Sequence, residues 1–157
     1  MALTEELGLK NGIKDLGHEA VLNIYYTASQ VKKRATDFFK KFCLTDVQFN
    51  VLILLEYQAD ESGGLTQAKL SDMMLVNRAN ITSLVDRMEK AGLVIRTNDE
   101  SDRRSNVVKM TNKGKKIFEK VEPLYIEQVR QVMSPVSIDE QKKIISALEK
   151  VRTSLKF

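Results

Sequence analysis

Arg78, Asn80, Thr82 and Ser83 crowd into one short polar segment that opens with Asn77. An arginine presents a planar fork of donors that matches O6 and N7 of guanine. An asparagine matches N6 and N7 of adenine in the same two-bond manner. Placed at the start of a helix, these side chains have the chemistry to read base edges, and Arg87 continues the polar face further along. Downstream stands Asp102-Arg103-Arg104 in a polar stretch, Asn98 to Ser105, that is too hydrophilic to be core. An arginine at such a tip suits the narrow, electronegative minor groove of A·T-rich DNA. The same residues would also make an ordinary solvated helix face and a charged turn. The elements that hold them decide between the two.

Asn77 is placed to cap a helix, and Ile81, Leu84, Val85 and Met88 then recur on one face of it. Gly92 stops that helix, and Leu93-Val94-Ile95 begins extended structure. Asn106-Val107-Val108-Lys109-Met110 reads as the returning strand, and Thr111 caps a new helix. Upstream, Thr66 caps a short helix from Gln67 to Met74 with Ala68, Leu70 and Met73 facing inward. Leu75-Val76 makes the tight turn into Asn77. Two helices in this order, with a hairpin after them, are the layout of a winged helix-turn-helix. The first helix, with Thr66 and Gln67 at its start, braces against the DNA backbone, and the second enters the major groove.

The ordered residues Leu44-Thr45 with Gln48 and Leu52, Leu70, Ile81-Thr82 and Leu84-Val85-Asp86-Arg87-Met88-Glu89 carry a wider resemblance. They continue through Gly92-Leu93-Val94, Arg96, Asp102-Arg103-Arg104, Val108, Met110-Thr111 and Gly114. At these spacings the chain resembles the MarR family of bacterial transcription regulators, strongly over residues 44 to 116. It departs at Met110, usually leucine in the family, and at Ser83, often a larger basic residue. The resemblance implies a mainly α fold with a small β-hairpin wing. Residues 44–111 would be the DNA-binding lobe, and residues 1–43 and 112–157 helical dimerisation regions that intertwine. It implies that Arg104 enters the minor groove with Asp102 bracing it, while Arg103 meets phosphate. It also implies a small aromatic or phenolic effector in the gap beside the lobe, near Tyr25, Tyr26, Phe49, Tyr57 and His18. The alternative for these aromatics is core packing.

The bulk numbers bound the rest. The chain has 157 residues, a net charge of +4, and 29% charged against 43% hydrophobic residues, which suits one globular domain with helical extensions. Residues 44–111 hold eight Lys/Arg against ten Asp/Glu, so a general basic patch does not mark the DNA-binding lobe. What remains is local: Arg78, Arg87, Lys90, Arg96, Arg103, Arg104, Lys109, Lys113 and Lys115 along one surface. So few phosphate contacts per chain favour a dimer that doubles them. One histidine and one cysteine, far apart, offer no metal cluster, and no cofactor is expected. No Ser-His-Asp set, P-loop or GxGxxG appears, so no catalytic site is visible. The N-terminus has no signal-peptide core, and no apolar run is long enough to span a membrane, which fits a cytoplasmic protein. Cys43 reads as a buried structural residue. In the resembling family redox cysteines stand near the start of the first helix, and Cys43 is at its other end.

Residues 13–42 read as one long helix, with Val21, Ile24, Tyr25, Val31, Phe38 and Phe39 at helical spacing. Thr45 and Gln48 form a capping box for a helix from Asp46 to Gln58, and Leu65 begins a minor strand beside the wing. A helix runs from after Thr111 to about Met133, and Ser137 with Glu140 caps a last one. The terminal helices carry more apolar surface than a small winged helix needs, which points to a homodimer on a palindromic operator. The expected function is therefore a DNA-binding regulator, a repressor modulated by a small ligand. The rivals are a thiol switch through Cys43 and a winged helix that binds only protein. The wing separates the first reading from the last. Arg104→Ala is expected to weaken binding most on operators with A·T-rich flanks, and Arg103→Ala to weaken all sequences alike and lower the salt slope by about 1. Titration against two operators differing only in their flanks checks this; equal losses for Arg104→Ala on both would remove the minor-groove role.

Overall fold

The computed structural model describes residues 2–61, 63–74, 77–98 and 106–155. Seven helices are described: α1 Leu3–Glu6, α2 Leu16–Lys40, α3 Asp46–Tyr57, α4 Gln67–Met74, α5 Arg78–Lys90, α6 Asn112–Met133 and α7 Ile138–Ser154. Three strands complete the set: β1 Leu65–Thr66, β2 Val94–Asn98 and β3 Asn106–Met110. They form an antiparallel sheet in the order β1-β3-β2. The chain divides into two compact units, Met1–Gly114 and Lys115–Phe157.

In the first unit the winged order is built by local chemistry. Thr45 and Gln48 exchange bonds across the start of α3, the Thr45 hydroxyl accepting from the Gln48 N–H at 3.2 Å and the Gln48 side chain from the Thr45 N–H at 2.9 Å. Leu65 pairs with Val108, so the short β1 does lie beside the hairpin. Gly64 just before it packs so near β3 that a Cβ would run into the Val108 carbonyl. The core joins Phe39, Phe49, Leu52, Leu70, Val85 and Val108, each under 2% exposed or at that limit. Phe39 and Phe49 join α2 to α3, with ring centroids 4.7 Å apart.

The first long helix is shorter than the sequence pattern predicts. Asp15, not a residue before it, is the cap, accepting from the His18 N–H at 2.6 Å, and α1 precedes it as a separate turn. At the other end the chain leaves the helix at Cys43, whose φ is +55°. The Cys43 N–H donates to Lys40 O at 3.1 Å and the Leu44 N–H to Phe39 O at 3.1 Å. This is a Schellman ending, with Leu44 and Phe39 both buried beside it. The geometry turns the Cys43 side chain outward, so the expected buried cysteine is in fact exposed. Gly92 ends α5 by the same bonds, its N–H donating to Glu89 O at 2.8 Å and the Leu93 N–H to Met88 O at 2.9 Å, with φ +72°.

In the second unit Ser137 and Glu140 cap α7 as expected. None of the residues of α7 is buried, and Ile138, Ile144, Ile145 and Val151 are exposed. On α2, Leu16, Val21, Ile24, Tyr25 and Val31 are exposed as well, so only its C-terminal end buries its apolar stripe. Cys43 occupies a left-handed position that costs an L-residue about 1–2 kcal/mol, part of which glycine returns through its greater freedom when unfolded. Cys43→Gly is expected to raise unfolding stability by about 1 kcal/mol in a urea titration. A loss of stability would show that the thiol contributes packing of its own.

Candidate nucleic-acid interface

The face of α5 is set by its two ends and its buried stripe. Asn77 Oδ1 accepts from the Asn80 N–H at 2.9 Å and so satisfies one of the free donors of the first turn. Ile81, Leu84, Val85 and Met88 are buried, at 4% exposure or less. Arg78, Asn80, Thr82, Ser83, Asp86 and Arg87 are therefore exposed on the other side. At the C-terminal end the Thr111 hydroxyl donates to Gly92 O at 2.6 Å, and Lys113 Nζ donates to Ala91 O at 2.6 Å. The helix end, the hairpin and the start of α6 are tied at one point. Gly114 belongs to this junction, since a Cβ there would run into the Leu93 carbonyl.

Helix α4 leans on α5 from the other side. The Thr66 hydroxyl accepts from the Lys69 N–H at 3.2 Å, and Gln67 Nε2 donates to Thr82 Oγ1 at 3.4 Å. Thr82 Oγ1 in turn donates to Arg78 O at 3.0 Å. Lys69 is held by Asp60 at 2.8 Å, which fixes the loop before β1. One expectation for α4 is corrected. Its inner side is Leu70 and Ser71, with Ala68 half-buried, while Met73 is 47% exposed. The stripe runs Gln67, Leu70, Ser71, Met74 at helical spacing, and Met73 falls outside it.

The strands of the hairpin pair through Asn98 and Asn106. Asp102, Arg103 and Arg104 lie outside the described residues. Arg96 on β2 was expected among the open cations, and it is not open. Its guanidinium bonds Asp86 at 2.6 Å and Glu89 at 2.7 Å, both on α5. Lys113 is likewise engaged, as above. The sequence signal for Arg96 was present but long-range: two carboxylates three residues apart on a helix, and an arginine just after the turn.

A family model for the MarR family matches residues 44–106. The transcriptional regulator PecS of Dickeya dadantii is 29% identical over 150 residues, covering 93% of this chain and 89% of PecS. The chain carries a MarR-family domain over residues 44–106. It is a DNA-binding regulator of transcription, and its relatives are regulators rather than enzymes. Among solved structures, the MarR-family regulator AbsC of Streptomyces coelicolor matches with a TM-score of 0.84 at 22% identity, over 93% of this chain and 98% of AbsC. The MepR–DNA complex of S. aureus matches with a TM-score of 0.78 at 22% identity, over 85% of this chain and 96% of MepR. At such identities these two support the fold alone.

The residues that resemblance placed around a MarR-family effector separate in the structure. Tyr25 and Tyr26, with Leu7, Leu22 and Ser29, line an open recess of about 220 Å³. Phe49 is fully buried against Phe39 and is core. Tyr57 is 60% exposed and His18 is exposed, and neither lines the recess. Among the described residues no group of three or more His, Cys, Asp or Glu could hold a metal, and no helix is long and apolar enough to cross a membrane. The Asn77 cap offers the cleanest test of how α5 is presented. Asn77→Ala is expected to lower unfolding stability by about 1 kcal/mol, while Asn77→Asp keeps it within a few tenths. Thermal unfolding of the two variants checks this; equal losses would mean that the cap does not hold the first turn.

Proposed function

We propose that this regulator is a homodimeric repressor that binds a palindromic operator and is released by a small ligand. The observation that carries the reading is the two-sidedness of α5: a fully buried apolar stripe behind, and Arg78, Asn80, Thr82 and Ser83 exposed near a fixed N-terminal end. In this reading Arg78 and Asn80 meet base edges. Thr66, Gln67, Asn77, Thr82, Ser83 and Arg87 position the helix on phosphates and sugars. Asn77 spends its carbonyl oxygen on the cap, which leaves its amide donors for a phosphate. In the wing, Arg104 braced by Asp102 takes the minor groove, and Arg103 takes phosphate. The S. aureus neighbour of the same fold was solved as a complex with DNA, which supports DNA as the partner.

The dimer rests on exposed apolar surface. Residues 1–43 and 112–157 supply it: α7 buries nothing, and α2 leaves Leu16, Val21, Ile24 and Val31 open. Two-fold symmetry of the protein then calls for two-fold symmetry of the operator, with half-sites about one turn of DNA apart. Occupying a promoter is enough to block transcription, so repression needs no further surface. The recess at Tyr25 and Tyr26 fits a small aromatic or phenolic ligand, with Ser29 and the tyrosine hydroxyls as polar partners. A ligand there shifts the dimer by preferring one spacing of the two α5 helices over the other.

Sedimentation with an operator duplex tests the assembly and the assignment together. The chain is expected to sediment as a dimer at micromolar concentration and to bind one duplex per dimer. Arg78→Ala is expected to lose roughly 1–3 kcal/mol and to relax preference at one operator position. A soluble monomer of the full chain would overturn the dimer. An unchanged sequence preference for Arg78→Ala would take Arg78 off the bases.

A further inference from the structure

Helix α5 carries two carboxylates, Asp86 exposed on its outer side and Glu89 half-buried at the edge of that side. Asp86 falls one turn beyond Thr82 and beside Ser83, so it shares the exposed face with them. Left alone, this pair would repel the phosphates of any duplex that approaches. Arg96 meets both. Its Nη2 donates to Asp86 Oδ1 at 2.6 Å and its Nη1 to Glu89 Oε2 at 2.7 Å. Its backbone N–H donates to Glu89 Oε1 at 2.9 Å, so one carboxylate is gripped by main chain and side chain together. Nη2 also donates to Thr82 O at 3.3 Å. The Arg96 side chain is 19% exposed, while those of Asp86 and Glu89 are 49% and 39% exposed. The cation is held beneath the two anions rather than offered to solvent.

We propose that Arg96 is a positioning residue whose part in DNA binding is electrostatic: it masks Asp86 and Glu89 so that α5 can approach phosphate. The proposal rests on the reading that the outer face of α5 meets DNA. A purely mechanical clamp between β2 and α5 would use the same bonds, but the two roles respond differently to charge. The three side chains together carry a net −1. Arg96→Gln makes this more negative. Arg96→Gln with Asp86→Asn and Glu89→Gln makes it neutral, and Asp86→Asn with Glu89→Gln alone makes it positive. All three variants break the ion pairs.

The test is a titration of each variant against a duplex enriched from a random pool by the wild type, at several salt concentrations, with thermal unfolding measured in parallel. Masking predicts that affinity follows charge. Arg96→Gln should bind about tenfold more weakly than wild type at low salt, and the gap should narrow as salt rises. The triple variant should recover at least wild-type affinity although the clamp is gone. The double variant, which retains Arg96, should bind more tightly than wild type, and it carries the test if Arg96→Gln does not fold. Double and triple variants that both bind more weakly than wild type would overturn masking in favour of a clamp. Arg78→Ala in the wild-type background separates the two levels. If it weakens binding while the charge series fails to follow charge, masking alone is wrong. If neither it nor any charge variant alters binding, α5 does not face DNA and both readings fall.

Discussion

Ile81, Leu84, Val85 and Met88 cannot face water, and that constraint orients every other residue of α5. A helix has 3.6 residues per turn, so burying this one stripe fixes the rotation of the whole element. Each of these side chains contributes roughly 1.5–3 kcal/mol on burial, far more than any single polar contact on the outer side. Arg78, Asn80, Thr82 and Ser83 are exposed because the core takes the opposite face. The Asn77 cap and the Gly92 ending then fix where the helix begins and stops. Polar residues do not choose their position here; the apolar residues behind them do.

What was legible in the sequence was local. The caps at Thr45, Thr66, Asn77 and Ser137 act within a few residues, so their side-chain types sufficed. The strand at Leu65 and the pairing of β2 with β3 came from apolar stretches beside polar turns. What was not legible depended on distance or on backbone geometry. Arg96 looked like one more surface cation, because its partners lie on another element. Cys43 read as a buried structural residue because it stands at the far end of the first helix from the family's redox position, yet the Schellman ending of α2 uses its backbone and turns its thiol outward. Composition gives no sign of this, since glycine is the usual residue there. Met73 failed for a simpler reason: in eight residues an apolar stripe can be drawn in more than one register. The aromatics divided by element end. Phe49 closes onto Phe39 where α2 meets α3, while Tyr25 lies on the part of α2 that buries little.

The charge distribution has the same two-level character. The lobe has more acids than bases over residues 44–111, which on its own argues against nucleic acid. The structure offsets part of the conflict by pairing three of these acids. Asp60 is taken by Lys69, and Asp86 and Glu89 by Arg96. Counting charges along a sequence therefore understates what a surface can do when its anions are paired from below. The exposed apolar residues of α2 and α7 carry the complementary message. They are the parts of the chain whose apolar stripes are left open, and the proposed dimer rests on them.

The central claim is that α5 reads DNA as one half of a two-fold assembly. Selection of bound duplexes from a random pool tests it most directly, because neither the operator nor a variant has to be chosen beforehand. The account predicts enrichment of an inverted repeat whose half-sites are centred about one helical turn, roughly 34 Å, apart, with affinity that falls steeply as salt rises. Recovery of unselected sequences, or of a single half-site bound with no dependence on salt, would contradict it.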